Sequence, residues 1–343
     1  MAPAGAQTCY VMKGIGSCTD EALMCEGERP IPSDPSSVLI KVKAAALNPI
    51  DVKLCAGLIP VYAKPPLVPG KDFAGVVVGP GGAWREGDEV YGDVGNVAVA
   101  DAIGGSLSEY VLVDGAHVAR KPTTCSWAEA ASLSLVGQTV YDVHAAARLR
   151  LGSTVVVLGA SGGVGTFAVQ YLAAKGFTVI GVCSAKNAAL VKDLGAAQTV
   201  DYAMGPWPSA IAGKVDGVFD FAPSGPHNAG YWAEACEVLK PGGVFVTISG
   251  EDPHGAFSIP SFLLAQCVMA WRNWFSGFRY TFVLKSPSTY KLAEIAALVE
   301  AGKIRPVVDE VFPWGKAHAA FARLESGRAV GKVVVLPPKA TDE

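Results

Sequence analysis

Apolar and polar residues alternate along Val38-Leu39-Ile40-Lys41-Val42-Lys43, so that Val38, Ile40 and Val42 share one face while both lysines take the other. That period of two predicts a half-buried antiparallel strand. Similar runs at 74–78, 88–91 and 108–113 are set apart by Gly79-Pro80-Gly81-Gly82 and Gly104-Gly105, sequences that end strands. The stretch from about 37 to 122 therefore reads as mostly β. After Pro122 the pattern changes. Ser126 with Glu129 three positions on has the spacing of a capping box, and the alanine-rich run to Ala147 favours helix.

From there strand and helix alternate. Strands at 154–158, 178–183, 199–201, 217–221 and 244–248 interleave with helices at 165–174, 188–194 and 232–238, and Lys240-Pro241-Gly242-Gly243 reads as a turn before the last strand. Such alternation calls for a parallel sheet covered by helices, a doubly wound α/β arrangement. A helix near 288–300 leads to β-like segments at 306–312 and 332–336, whose composition matches the first third. The expected division is 1–125, 126–285 and 286–343, the last part returning to the first domain.

Composition narrows the class. The chain has 343 residues, half of them hydrophobic and 17% charged, which suits one large or two ordinary packed domains and excludes a disordered chain. Basic and acidic residues number 28 and 31, for a net charge of −3, with no Lys/Arg block, so no nucleic-acid or anionic-membrane partner is expected. The longest apolar stretch, 257–271, is broken by Ser258, Pro260, Ser261 and Gln266 and falls short of the ~20 residues of a membrane span. Residues 1–13 show no targeting pattern, which makes the cytoplasm the expected location. Eight cysteines lie far apart without a C-x-x-C pair and read as reduced thiols.

The glycines matter more, since 39 of them exceed the ~7% of average usage. Val155-Val156-Val157-Leu158 runs into Gly159-Ala160-Ser161-Gly162-Gly163-Val164-Gly165 and then into helix-forming sequence. This is the G-x-G-x-x-G fingerprint with Ala160 in first place, and its glycines let a pyrophosphate approach backbone amides at a helix N-terminus. The second strand bears on which dinucleotide binds. An NAD site offers Asp or Glu to the ribose about 20 residues on, whereas here the strand ends Cys183-Ser184-Ala185-Lys186-Asn187. A hydroxyl and an ammonium suit a 2′-phosphate, and Tyr202 adds a phenol, so NADPH is the expected cofactor. Taken singly, Lys186 is equally a solvated lysine and Tyr202 a packing residue.

The five histidines, at 117, 144, 227, 254 and 318, stand singly, none at ligand spacing with a cysteine, so no bound metal is expected. The other dense segment is Leu47-Asn48-Pro49-Ile50-Asp51-Val52-Lys53, followed by Pro69-Gly70-Lys71-Asp72. Asn48 can donate to a carbonyl or carboxamide, and Lys53 to a ribose hydroxyl or to an oxygen that gains charge. On their own, Asp51 reads first as a turn or helix cap and Lys53 as a solvated side chain.

With Leu47-Asn48-Pro49-x-Asp51-x-Lys53, Pro69-Gly70-x-Asp72-x-Ala74-Gly75, Gly87-Asp88-x-Val90-Tyr91-Gly92, Gly105 to Tyr110, Ala160 to Gly165 and Gly331-Lys332-Val333-Val334 in order, the chain resembles the medium-chain dehydrogenase/reductase superfamily over nearly its whole length. Within it the chain is similar to the zinc-independent, quinone-oxidoreductase-like branch, with its NADPH-dependent alkenal/enone oxidoreductases and chloroplast-envelope homologues. The resemblance implies a GroES-like, mainly β catalytic domain and a Rossmann cofactor domain. It implies that Gly162, Gly163, Val164 and Gly165 hold the pyrophosphate, with Ser161 also at the cofactor, and that Ser184, Lys186 and Tyr202 hold the 2′-phosphate. Asn48 and Thr139 would lie by the nicotinamide. Lys53 would contact both cofactor and substrate, and Ala222, Pro223, Ser249, Gly250 and Lys332 would line the cofactor. A proton-donating tyrosine in enoyl-thioester reductases of the superfamily falls near Ile59 here, with Tyr62 displaced from it.

The implied activity is hydride transfer to the C=C bond of an α,β-unsaturated carbonyl, with Lys53 on the enolate oxygen and solvent or Tyr62 as proton source. The substrate would be a small hydrophobic carbonyl or a quinone, in a cleft between domains. Quinone reduction, a tailoring enoyl reductase and a non-catalytic NADPH-binding protein are the rival readings. The aromatic-rich segment 257–282 is a pocket wall, a subunit contact or plain core, and the superfamily resemblance suggests a homodimer. A peripheral association with an organelle envelope is the alternative location.

Overall fold

In the computed structural model, residues 5–34, 36–59, 65–79, 81–95, 104–222, 228–248 and 259–338 are described, with backbone alone at 228–230 and 259–266. The alternating apolar run of the first third becomes strand β3 (Val38–Ala46), preceded by a hairpin of β1 (Ala6–Met12) and β2 (Met24–Pro30). The hairpin leaves little trace in sequence, because β2 alternates charged with small residues rather than apolar with polar ones. After β3 come α1 (Pro49–Cys55), β4 (Asp72–Gly79), β5 (Glu89–Asp93), β6 (Tyr110–Val113), β7 (Val118–Arg120), α2 (Trp127–Ala131) and α3 (Ser134–Ala147).

The parallel part follows as β8 (Thr154–Leu158), α4 (Gly163–Ala174), β9 (Thr178–Cys183), α5 (Ala188–Asp193), β10 (Gln198–Asp201), β11 (Val215–Asp220), α6 (Asn228–Val238), β12 (Leu239–Thr247), α7 (Ile259–Phe275) and β13 (Arg279–Phe282). The chain ends with α8 (Thr289–Glu300), β14 (Val308–Pro313), α9 (Ala317–Glu325) and β15 (Lys332–Leu336).

These elements form two units. One takes residues 1–138, 287–302 and 306–343, the other 139–286 and 303–305. In the first, β14, β15, β3, β4, β5 and β7 lie in that order in one sheet, with β6 on β3, around a core that includes Ile40, Phe73, Val77, Leu107 and Phe321. Residues 126–138, which the sequence pattern assigns with the parallel sheet, belong to this unit, because buried carboxylates on β4 and β5 bond the start of α3. The Ser126 and Glu129 capping box is present, with Ser126 N donating to Glu129 Oε2 at 2.8 Å.

In the second unit the order β10-β9-β8-β11-β12-β13 is a parallel sheet, the doubly wound arrangement that alternating elements require. Its core includes Val156, Val218, Phe245 and Tyr280. The Lys240-Pro241-Gly242-Gly243 sequence is not a turn ahead of a strand but a bulge inside β12, where pairing jumps from Val215 with Leu239 to Gly217 with Val244. Gly242 turns there at φ +75°. The aromatic segment divides by face. On α7, Arg272 is buried with its guanidinium 5.2 Å from the Trp232 ring and 4.6 Å from that of Tyr280, while Trp271, Trp274 and Phe275 are exposed. Among the described residues no helix is long and apolar enough to cross a membrane.

Candidate active site

β8 ends at the phosphate loop, and its glycines do different work. Gly159 has φ +70°, and a Cβ there would stand 2.8 Å from Phe221 O. At Gly165 a Cβ would fall 2.1 Å from Gly159 O and 2.7 Å from Ala160 Cα, so glycine is needed for the helix to pass the loop. Gly162 is different. It caps α4 at φ −78°, ψ 177°, a conformation open to any residue, and the nearest atom to an added Cβ is Gly159 O at 3.4 Å. No side chain caps the helix there. The amides of Gly163, Val164 and Gly165 have no partner inside the helix, so a set of donors with a favourable dipole remains for an anion, the chemistry a pyrophosphate requires.

The turn after β9 supplies the next group. Ser184 caps the turn without a side-chain bond, and Lys186 is exposed, as is Tyr202 after β10. The acid nearby in sequence, Asp201, accepts from Ala203 N at 3.0 Å and caps its own turn. A hydroxyl, an ammonium and a phenol are donors of the kind that a 2′-phosphate requires. At the end of β11, Asp220 is buried and takes Ala222 N at 3.1 Å and Thr247 Oγ1 at 3.0 Å, which ties the ends of β11 and β12 together and fixes Ala222. Tyr62, Pro223, Ser249 and Gly250 lie outside the described residues.

The first unit holds a buried polar network. Asn48, at the N-cap of α1, donates from Nδ2 to Asp72 Oδ2 at 2.9 Å, and its Oδ1 accepts from Lys332 Nζ. Lys332 Nζ also donates to Leu47 O at 2.9 Å and to Asp72 Oδ2 at 3.0 Å. An ammonium has three protons, and all three are engaged inside the protein. Lys332, which the resemblance sets along the cofactor, thus holds Asn48 and Asp72. Asp72 Oδ1 takes Leu135 N at 3.0 Å, in the first turn of α3. Burial pushes the Asp72 carboxyl up, against Lys332 and Asn48, which pull it down.

Asp93, also buried, takes Gly95 N at 2.9 Å, His117 Nδ1 at 3.2 Å, Ser134 Oγ at 3.2 Å and Gln138 Nε2 at 2.7 Å. Gln138 Oε1 in turn accepts from Ser288 N at 2.9 Å. The amide of Gln138 is thereby held next to Thr139, itself buried on α3. Asp51 accepts from Asn48 N at 2.8 Å through Oδ2, the capping role open to it, while its buried Oδ1 has no partner. Burial drives its carboxyl up to about 7, with Lys71 the main opposing charge. Lys53 is half-buried on α1, two residues beyond Asp51.

Residues 34–123 match the alcohol dehydrogenase GroES-like domain, and 194–335 match the family described as zinc-binding dehydrogenase. The chain is 37% identical over 310 residues to a 2-methylene-furan-3-one reductase of Solanum lycopersicum, covering 88% of this chain and 71% of the relative. It is 36% identical over 312 residues to a chloroplastic NADPH-dependent alkenal/one oxidoreductase of Arabidopsis thaliana, covering 88% and 72%. A solved quinone oxidoreductase from Coxiella burnetii superposes at a TM-score of 0.80 with 26% identity, covering 97% of this chain and all of that one.

The fold and these relatives make the protein a nicotinamide-dependent oxidoreductase. The chain belongs to the medium-chain dehydrogenase/reductase superfamily. Among the described residues no three His, Cys, Asp or Glu side chains converge as a metal site, and Lys71 beside Asp72 donates to Gly95 O at 3.0 Å.

Proposed function

We propose that the protein uses NADPH to reduce the C=C bond of small α,β-unsaturated ketones and aldehydes, without a metal ion. The observation that carries the cofactor is the turn of Ser184 and Lys186 after β9 and Tyr202 after the paired strand β10, where Cys183 and Asp201 are partners and the acid at 201 is engaged with its own backbone. The substrate class is supported by the relatives of 36 and 37% identity named for alkenal/one and furanone reduction. Chloroplast relatives at 28% identity are named as quinone oxidoreductase homologues, which makes quinones a second class of acceptor.

When bound, NADPH supplies a hydride to the β-carbon of the substrate. Lys53 would hold its ammonium beside the carbonyl oxygen, which gains negative charge as the enolate forms. Asn48, its amide protons on Asp72 and Ala46 O and its oxygen on Lys332, would hold the start of the helix that carries Lys53 beside the nicotinamide, with Thr139 on the same ring. The proton for the α-carbon comes from solvent or Tyr62. Ala222, two residues past β11, would lie along the cofactor. A homodimer is supported by the edge position of β13 beside the exposed Trp271, Trp274 and Phe275. The cytosol is our assignment of location, with peripheral association at an organelle envelope as the alternative.

Product analysis tests the reading. Incubation of a small enone with NADPH should give the saturated ketone by NMR, and an allylic alcohol as the product would overturn it.

A further inference from the structure

Asn187 opens α5 as its N-cap residue, yet its side chain caps nothing there. Asparagine is among the residues best suited to that cap. Instead, Nδ2 crosses from the turn after β9 to the phosphate loop and donates to Ser161 Oγ at 3.0 Å. Its backbone N–H donates to Ser184 O at 2.9 Å, closing the same turn. One residue therefore joins the two loops that carry the phosphate-binding groups.

The bond also sets the direction of a proton. A hydroxyl has one O–H and two lone pairs. Since Ser161 Oγ accepts from Asn187, its own proton is directed to a different acceptor, and Ser161 stands one residue before the cap of α4, with its open amides. We infer that Asn187 is a positioning residue for the nucleotide. It makes Ser161 a donor toward a phosphate or ribose oxygen of NADPH, and it couples the Ser184 and Lys186 turn to the pyrophosphate loop. The inference rests on the NADPH reading above.

Two consequences separate this from a merely structural role. First, Asn187 acts through Ser161, so removing both side chains should cost little more than removing one. Second, because Nδ2 of Asn187 tethers the 2′-phosphate turn to the phosphate loop, losing that tether should weaken ligands that carry a 2′-phosphate more than those that lack it.

The experiment is calorimetric titration of the full-length protein with NADPH, NADH, 2′,5′-ADP and 5′-ADP. The proteins are wild type, Asn187→Ala, Asn187→Asp, Ser161→Ala and the Asn187→Ala, Ser161→Ala double variant. Asn187→Ala should weaken NADPH and 2′,5′-ADP by about tenfold, the scale of one hydrogen bond to a charged group, and NADH by less. In the Ser161→Ala background the same change should cost less than about twofold. Asn187→Asp can only accept, turns the Ser161 proton inward and should be the weakest single variant.

Equal losses in both backgrounds, or an Asn187→Ala affinity for 2′,5′-ADP within about twofold of wild type, would overturn the inference. Melting of each protein without nucleotide identifies any loss caused by unfolding, and Asn187→Ser then carries the same comparison. A wild type that binds none of the four ligands would overturn the NADPH reading itself, a result distinct from tight wild-type binding that Asn187 does not affect.

Discussion

Asp72 and Asp93 stand opposite one another on the paired strands β4 and β5, and both bond the first turn of the same helix. Asp72 takes the Leu135 amide at 3.0 Å, and Asp93 takes Ser134 Oγ at 3.2 Å and Gln138 Nε2 at 2.7 Å. Two buried carboxylates across a strand pair repel each other. Three features offset that repulsion: the Lys332 ammonium on Asp72, the His117 ring on Asp93, and the positive end of the α3 dipole. The same arrangement orients Asn48 through Asp72 and holds Gln138, the neighbour of Thr139, so the scaffold and the candidate site share one network.

Lys332→Met should therefore be costly. It leaves the Asp72 carboxylate and the Asn48 oxygen buried without their cation, a loss of about 3–5 kcal/mol. The exposed pair of Lys240 with Asp216, at 2.8 Å, is the control, and Lys240→Met should cost no more than about 1 kcal/mol. Urea unfolding of both variants makes the comparison.

Glycines of one loop should separate folding from binding. Gly165→Ala forces a methyl to within 2.1 Å of Gly159 O, so it should lower stability by about 1–3 kcal/mol or more. Gly162→Ala meets nothing closer than 3.4 Å and should fold like wild type, yet bind NADPH at least about tenfold more weakly as its methyl crowds the phosphate. Thermal melting read beside fluorescence titration distinguishes the two.

Asp51 should leave a mark on the pH dependence of stability. Its carboxyl is raised by burial from 3.8 to about 7, so the folded protein binds a proton that the unfolded chain has released. Its contribution is fully present below about pH 4 and is lost as pH rises through about 7, with a slope of up to about 1.4 kcal/mol per pH unit. Asp51→Asn keeps the acceptor for Asn48 N–H and removes the titration. The stability of wild type relative to this variant should therefore fall from pH 5 to pH 7 and level off above about pH 8, as followed by urea unfolding.

Lys53→Ala should lower kcat/KM on a small enone by about 10²-fold, the effect of losing one group that stabilises a developing oxyanion. Lys53→Arg keeps the charge and should retain more activity than alanine. An alanine variant equal to wild type would remove Lys53 from the reaction.

Much of this was legible in local sequence. The strand of 154–158, the glycine loop and the capping box of Ser126 and Glu129 depend on neighbours within a few residues, and each took the form that its spacing requires. The network was not legible, because its partners are brought together only by the sheet. Gln138 meets Asp93 across 45 residues of chain, and Lys332 meets Asp72 across 260. The sequence marks Asn48 and Lys332 as members of motifs, but no local spacing tells that the lysine serves the asparagine. Asn187 was hidden for the same reason, its partner Ser161 lying one strand and one helix away.

The central claim is tested most directly by following NADPH oxidation with a small enone, an alkenal, a benzoquinone and an enoyl thioester, each before and after treatment with a metal chelator. The account predicts turnover of the enone or alkenal that survives the chelator. Activity confined to the quinone, or lost on chelation, would contradict it.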